Sequence, residues 1–292
     1  MRAVFNVFSG TGNTDKVCRA IMAEWTDAGV ECKYVHIGKD CEVRDPNKFD
    51  RMVIGYPVHA FNAPQPVFEF IKKLPQCSGG VLVYLVKTSG EPLGLNDGSC
   101  AHMYDLLRKK GYKVCGEYHY VMPYNMIFRH SDGMAARMWQ AAKRRIPFEA
   151  RDMLDGKITK LKKGPFKRFV SFIFRIEHPA MHMIGKRFKA TDACTGCGKC
   201  ARGCPQKNIT MAGGRPVFGN NCIGCVKCSF GCPEGAIKIG VLNGWRVNGS
   251  YDFSGVPATD DEVCRYCRRS YIKYFREAEK YPLPGEGENT GS

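Results

Sequence analysis

The strongest constraint on this chain is a cysteine pattern written twice. Cys194-x2-Cys197-x2-Cys200-x3-Cys204-Pro205 is followed, 28 positions on, by Cys222-x2-Cys225-x2-Cys228-x3-Cys232-Pro233. Three cysteines at this interval let one tight loop wrap three corners of a metal-sulfur centre, and the fourth corner must come from elsewhere in the chain. Each proline turns the chain away after the fourth cysteine, because its φ is fixed and it has no N–H to continue a helix. Ile209 and Ile237 each lie five residues past that cysteine, so the repeat extends into a duplicated small core. Structural zinc, which also favours Cys-x2-Cys pairs in fours, is the alternative. Zinc does not, however, need a third cysteine at the same short interval in both halves.

The doubled run resembles that of the bacterial ferredoxins that carry two [4Fe-4S] clusters. The resemblance implies that Cys194, Cys197, Cys200 and Cys232 hold one cluster, and that Cys204, Cys222, Cys225 and Cys228 hold the other. It places a small α+β ferredoxin domain over residues 191–242.

With 292 residues, the chain has room for about two domains. Sixteen cysteines would suggest disulfides in a secreted protein, but Met1-Arg-Ala-Val-Phe-Asn-Val-Phe runs straight into a strand pattern without a signal-peptide layout. No stretch reaches roughly 18 apolar residues. A cytoplasmic protein with reduced or metal-bound thiols is therefore expected, and exposed iron-sulfur clusters suit an anaerobic cell. The formal net charge of +16 is concentrated, since residues Gly133 to Asp192 carry 15 Lys plus Arg against 5 Asp plus Glu. A solvated helical face, docking to an acidic redox protein and contact with an anionic membrane surface all fit such a segment. Nucleic acid is not expected, because no recognition motif accompanies the charge.

Residues 2–8 form a strand pattern that stops at Ser9-Gly10-Thr11-Gly12-Asn13-Thr14, after which Val17, Ala20, Ile21 and Trp25 mark a helix ending at Gly29. A strand, a loop of glycines and hydroxyl residues, then a helix is a phosphate site, because backbone N–H groups point inward and the helix N-terminus favours an anion. The loop has no lysine, so it is not a nucleoside-triphosphate loop, and its spacing is not the dinucleotide fingerprint. Strands are predicted at 31–37, 51–56, 81–87 and 113–121, with helices at 65–73 and 97–110 between them. That alternation implies a doubly wound parallel sheet that binds its ligand at the carboxyl ends of the strands.

With this topology and first loop, the chain resembles flavodoxin, and with the cysteine repeat it looks like the flavodoxin and ferredoxin fusion proteins of anaerobic microbes. The implied fold is α/β: a flavodoxin-like, doubly wound, five-stranded parallel sheet, then a helical linker and the small ferredoxin domain. By position, Ser9, Gly10, Thr11, Gly12, Asn13 and Thr14 would hold the FMN phosphate. Pro57, Val58, His59, Ala60, Phe61 and Asn62 would lie along one side of the ring, and Thr88, Ser89, Gly90 and Glu91 would reach its other edge. The 57–63 loop has no glycine to allow a peptide flip beside the ring, so poor stabilisation of a one-electron-reduced flavin is expected. His59 is a candidate catalytic proton donor, with simple stacking as the alternative.

The flavin domain is expected over 1–155, closed by a helix from Ser131 to Asp155; Tyr118, Tyr120 and Tyr124 are read mainly as packing residues. Residues 156–190 form a basic aromatic linker, broken at Pro179, whose phenylalanines are expected to fill the junction between the domains in preference to lying on a membrane. Residues 243–281 form an extension with a helix from Asp260 to Lys280, opened by Thr259 with Glu262 three residues on and carrying Cys264 and Cys267. Residues 282–292 read as a disordered tail, and Cys18, Cys32, Cys41, Cys77, Cys100 and Cys115 as packing thiols. The functional expectation is an iron-sulfur flavoprotein oxidoreductase that moves electrons between two [4Fe-4S] clusters and FMN and reduces a small-molecule acceptor at the flavin. The alternative is a non-catalytic carrier that serves a protein partner.

Overall fold

The computed structural model describes residues 1–259 and 268–283. The expected cap at Glu262, the pair Cys264 and Cys267, and the tail from residue 284 lie outside the described residues.

Strands β1 (Arg2–Val7), β2 (Glu31–His36), β3 (Arg51–Pro57), β4 (Leu82–Ser89) and β5 (Lys113–Val121) form one parallel sheet in the order β2-β1-β3-β4-β5. Side chains alternate across each strand, so β1 sends Ala3, Phe5 and Val7 to one core and Val4 to the other. Helices α1 (Asn13–Asp27) and α4 (Asp132–Leu154) cover the first face, where Trp25 donates from Nε1 to the Ala150 carbonyl at 2.9 Å. Helices α2 (Gln65–Lys73) and α3 (Ala101–Lys109) cover the second with Phe70, Ile71, Met103 and Leu107. Both faces are buried, which is why the central strands read as near-continuous apolar runs. The order is that of the flavodoxin-like doubly wound fold, whose topological switch point lies between β1 and β3.

A charged network lies beneath the ends of β3, β4 and β5. Lys87, fully buried, donates to Glu117 at 2.8 Å and to the Asn96 carbonyl at 2.9 Å, and Tyr56 donates to the other oxygen of Glu117 at 2.8 Å. Ser89 Oγ stands 2.7 Å from His119 Nε2, and burial beside Lys87 keeps that imidazole neutral. The network ties the turn after β4 to the sheet.

The linker divides into α5 (Pro165–Phe174) and α6 (Glu177–Gly185). The break falls at 175–176, not at Pro179, which sits in the first turn of α6 where its missing N–H has no helical partner to lose. The expected filling of the junction by phenylalanines is corrected for α5. Its one buried residue is Ser171, while Phe166, Phe169 and Phe172 are exposed. The inward face meets polar Asn62 and the backbone of Gly98, so a small hydroxyl residue fits there and a phenyl ring does not. Farther on, Met181, Ile184 and buried Phe188 do reach the junction.

Residues 189–239 repeat one design at an offset of 28. Helix α7 (Lys199–Gly203) follows a left-handed Gly198, and α8 (Lys227–Phe230) a left-handed Val226. The Asn208 amide points at Cys204 Sγ and the Ala236 amide at Cys232 Sγ, each at 3.4 Å. Ile209 and Ile237 are both buried. Antiparallel pairs join β6 (Lys189–Ala190) to β9 (Ile237–Lys238) and β7 (Ile209–Ala212) to β8 (Arg215–Phe218). Phe230, Val247 and Tyr251 then pack on Ala135 of α4. Helix α9 (Arg268–Glu279) returns to the α/β domain, burying Tyr271 and Phe275 against Met134 and Met138.

Replacing Lys87 with methionine leaves the Glu117 carboxylate buried without its cation. We expect a loss of about 3–5 kcal/mol of unfolding free energy, read by denaturant titration, and partial recovery when Glu117 is also made glutamine.

Candidate functional site

The ends of β1, β3, β4 and β5 enclose a cavity of about 340 Å³. Its lining brings together Ser9, Gly10, Thr11, Asn13 and Thr14 from the first loop, Pro57, Val58, His59 and Ala60 from the second, and Thr88, Ser89 and Gly90 from the third. Gly12, Phe61, Asn62 and Glu91 lie outside this lining. Gly12, left-handed at φ 108°, starts α1 and lines a neighbouring open cleft with Lys199 and Lys227. Positive charge that the first loop lacks is thus supplied by the cysteine-rich segment.

Hydroxyl and amide side chains pin the loops together. Thr14 Oγ1 is 2.7 Å from Thr88 Oγ1, Asn13 donates to the Pro123 carbonyl at 2.8 Å, and Asn125 donates to Thr11 at 2.7 Å. The second loop is a two-residue hairpin: His59 and Asn62 exchange both backbone hydrogen bonds at 2.8 Å, and Ala60 and Phe61 take φ of 40° and 60°. Such turns ordinarily use Asn or Gly, and side chains with a Cβ are strained there by about 1–2 kcal/mol each. Asn62 compensates. Its Nδ2 donates to the Ala60 carbonyl at 3.1 Å and the Ser171 carbonyl at 2.8 Å, while Ser171 Oγ donates to its Oδ1 at 2.7 Å. Phe61 turns away onto Phe174, with centroids 5.0 Å apart. The loop thus reaches left-handed backbone without glycine, held there by α5.

The third loop is backed by rings. A Cβ on Gly90 would stand 2.3 Å from the Tyr124 ring, so only glycine lets Tyr124 approach the cavity. Tyr124 stacks on His130 at 5.4 Å and gives its hydroxyl to Glu91, and Tyr271 of α9 reaches the Gly90 carbonyl. Tyr118 and Tyr120 are core residues, but Tyr124 lines the cavity.

Further lining residues fall outside the sequence expectations: Met122, Met126, Glu177, Met181, Leu242 and Trp245. Glu177 had a visible signal, as the one acid between Asp155 and Asp192 in a basic stretch. The two apolar residues at 242 and 245 had none, because a 3₁₀ turn over Gly240–Trp245 brings them in from beyond the cysteine repeat. Glu177 Oε1 is 3.9 Å from His59 Nδ1. That approach is not an ion pair near neutrality, because burial drives both groups toward their neutral forms. It lowers His59 to about 4 and raises Glu177 to about 7. The other carboxyl oxygen, Oε2, is buried without a hydrogen-bond partner.

The eight cysteines gather into two sets. Cys194, Cys197, Cys200 and Cys232 line one small cavity, and Cys204, Cys222, Cys225 and Cys228 line another. Each set takes three cysteines from one run and the fourth from the other. Among the described residues, no group of three or more His, Cys, Asp or Glu is placed to hold a metal ion. Burial pushes the Cys225 thiol up to about 12, so a thiolate there needs a bound cation to compensate. Cys197 is exposed. The second set adjoins the cavity at the strand ends directly. A Cβ on Gly10 would stand 2.8 Å from the Cys225 carbonyl oxygen, Gly224 lines the cavity, and the Lys39 amide donates to the Pro205 carbonyl at 3.0 Å. Cys18, Cys100 and Cys115 are buried, and Cys32, Cys41 and Cys77 partly so.

No protein-family model and no curated protein matches this chain. Among solved structures it is similar to a short-chain flavodoxin associated with a non-canonical PDU bacterial microcompartment, at 16% identity and a TM-score of 0.41 over 53% of this chain and 97% of that one. It is similar to an NAD(P)H:quinone oxidoreductase from Methanothermobacter marburgensis at 10% identity and a TM-score of 0.40, covering 52% and 96%. A flavodoxin from the domain Archaea gives 14% identity and a TM-score of 0.37, covering 53% and 99%. At these scores the fold rests on the sheet order, not on the likenesses.

Asn62→Ala removes the lock on the left-handed turn and leaves the Ser171 carbonyl and hydroxyl unpaired. A destabilisation of about 1–3 kcal/mol follows, seen as a lower denaturant midpoint. An effect no larger than that of an exposed substitution at Lys160 would count against the lock.

Proposed function

We propose that this chain is an iron-sulfur flavoprotein that passes electrons between two [4Fe-4S] clusters and FMN and reduces a small-molecule acceptor at the flavin. The observation that carries the reading is the contact of Gly10 with Cys225, through which the phosphate-type loop and the second cysteine set share a wall. The residue types and their grouping suit these cofactors, although among the described residues the thiols as placed do not form a metal-holding group. A hydroxyl-rich loop opens a 15-residue helix beside a cavity of flavin size, and four thiols surround each of two small cavities. FMN would supply a centre that accepts electrons singly and gives them up in pairs, and the clusters would supply one-electron stores. Structural zinc remains the competing occupant of the cysteine sets.

The chain's own residues bind, enclose and protonate. Ser9, Thr11 and the amides at the start of α1 face a phosphate, where the helix end favours an anion. The Asn62 lock keeps Val58 and His59 at the cavity wall. Tyr124, Leu242 and Trp245 restrict water. Cys194, Cys197, Cys200 and Cys232 occupy the outer position, where exposed Cys197 suits electron entry, while the set around Cys225 stands between them and the flavin cavity.

Glu177 favours reduction of an acceptor over simple carriage of electrons. A carrier needs no proton donor, whereas an acceptor that takes an electron pair commonly needs protons. Glu177 holds a proton on its carboxyl up to about pH 7, beside a cavity that is otherwise mostly apolar. Its neighbour His59, deprotonated above about pH 4, is able to accept a hydrogen bond from it.

Anaerobic reconstitution should give about eight iron atoms and one FMN per chain; zinc in place of iron would overturn the cluster assignment. Reduction of a small quinone should fall as pH rises through about 7, and Glu177→Gln should be slower and flat across that range. Stability provides an independent check. The folded pKa is raised, so the stability tied to Glu177 is present below the ordinary carboxyl range and is lost as pH climbs through about 7. Glu177→Gln should remove that part of the pH dependence of Tm.

A further inference from the structure

The face of α5 turned away from the protein is apolar and uncovered. Phe166, Phe169 and Phe172 are 68%, 60% and 64% exposed, and Ile173 and Ile176 are 50% and 73% exposed. Positions 166, 169 and 173 follow the three-and-four spacing that puts side chains on one side of a helix, and Ile176 follows just past the end of α5. The opposite side is fully engaged: Ser171 holds Asn62, Lys167 pairs with Asp97 at 2.7 Å, and Arg168 pairs with Asp105 at 2.6 Å. The stripe is therefore not misplaced core. Among the described residues nothing covers it.

The surrounding charge indicates what partner the stripe suits. Between Lys157 and Lys189 the sequence has ten Lys and Arg and a single acid, Glu177, which is half-buried at the cavity. The two acids that α5 meets on the α/β domain, Asp97 and Asp105, are already paired with Lys167 and Arg168. Lys160, Lys162 and Arg175 make no ion pair among the described residues, while Lys163 lies over the Tyr104 ring and Arg175 over the Phe68 ring at 5.7 Å. At the end of α5, an open cleft of about 400 Å³ is lined by Arg175, Lys72, His102, His178 and His182, with Glu69 on its wall bound to Gln65 at 2.6 Å. It would admit an anionic headgroup beside the phenylalanine stripe.

We propose that α5 is a peripheral membrane anchor that lays Phe166, Phe169, Phe172, Ile173 and Ile176 into the interface of an anionic phospholipid bilayer, with Lys160, Lys162, Lys163 and Arg175 meeting the lipid phosphates. Large apolar groups on one side and lysines around them are the composition of an interfacial helix. The core of a protein-binding surface, in contrast, is depleted of charged residues, lysine among them. No helix among the described residues is long and apolar enough to cross a membrane, so α5 lies on the bilayer and the attachment is reversible. The anchor does not depend on which groups the cysteines or the flavin-type cavity hold.

The test is co-sedimentation of the full-length, cofactor-loaded chain with vesicles, one set of equal parts phosphatidylglycerol and phosphatidylcholine and one of phosphatidylcholine alone. Binding to the anionic vesicles should be at least about tenfold stronger and should weaken about tenfold in high salt. The double variant Phe169→Ser with Ile173→Ser changes only exposed side chains, so Tm should hold while vesicle binding falls at least about tenfold. Lys162→Glu with Lys163→Glu should abolish the preference for anionic lipid. Three results would each overturn the proposal: no sedimentation with anionic vesicles at low salt, equal binding to both vesicle types, or a dimer in solution that the Phe169→Ser, Ile173→Ser pair dissociates. The last would mean that a second copy covers the stripe.

Discussion

The close approach of Gly10 to Cys225 is the constraint from which the rest of the arrangement follows. A side chain on residue 10 would collide with backbone, which cannot swing aside as a flexible side-chain end can. The cysteine-rich segment must therefore come down over the carboxyl end of the sheet, and the chain has to travel there from the end of α4. Helices α5 and α6 make that journey. Gly185 meets Cys222 so closely that a Cβ would stand 2.0 Å from it, and Met181 meets Gly224. What would be two separate modules in a looser protein becomes one body whose central cavity is walled by segments from residue 9 to residue 245.

Most of the scaffold was legible from periodicity alone. The strands at 51–57 and 113–121 and the helix at 65–73 appear within a residue of where their apolar patterns put them, because local pattern and global burial agree in a doubly wound sheet. The duplicated cysteine segment was equally legible, since spacing fixes a short loop almost completely. What could not be read was orientation. Phe166 and Phe188 belong to the same basic, aromatic stretch, yet one is 68% exposed and the other 4%. Composition says that a helix is amphipathic but not which side meets protein, and here the choice was made by Asn62, more than a hundred positions away.

Long-range closure also hid part of the site. Trp245 and Tyr271 reach the cavity or its backing loop from a segment that read only as an extension with a helix. Glu177 looked like an ordinary helix-starting acid, because an acid in a first turn is favoured by the helix dipole. Its chemistry arises only from enclosure, which holds its proton some units of pH longer than water would. The buried Lys87 is a further case: a lysine ending a strand reads as a surface residue until Glu117, from the neighbouring strand, is set beside it.

The 28-residue repeat began as two equal halves and ends in unequal surroundings. Left-handed residues, amide-to-sulfur contacts and buried isoleucines match pair for pair, but Cys197 faces water while its counterpart Cys225 is roofed by the phosphate-type loop. Solvent access and local polarity are what tune an iron-sulfur centre held by a fixed set of thiols. If iron-sulfur centres occupy both sets, as proposed, a difference in potential between them requires no difference in ligand chemistry. The two positions differ in what the rest of the chain lays over one copy and leaves off the other, so that an internal symmetry of the sequence acquires a direction by being docked at one end.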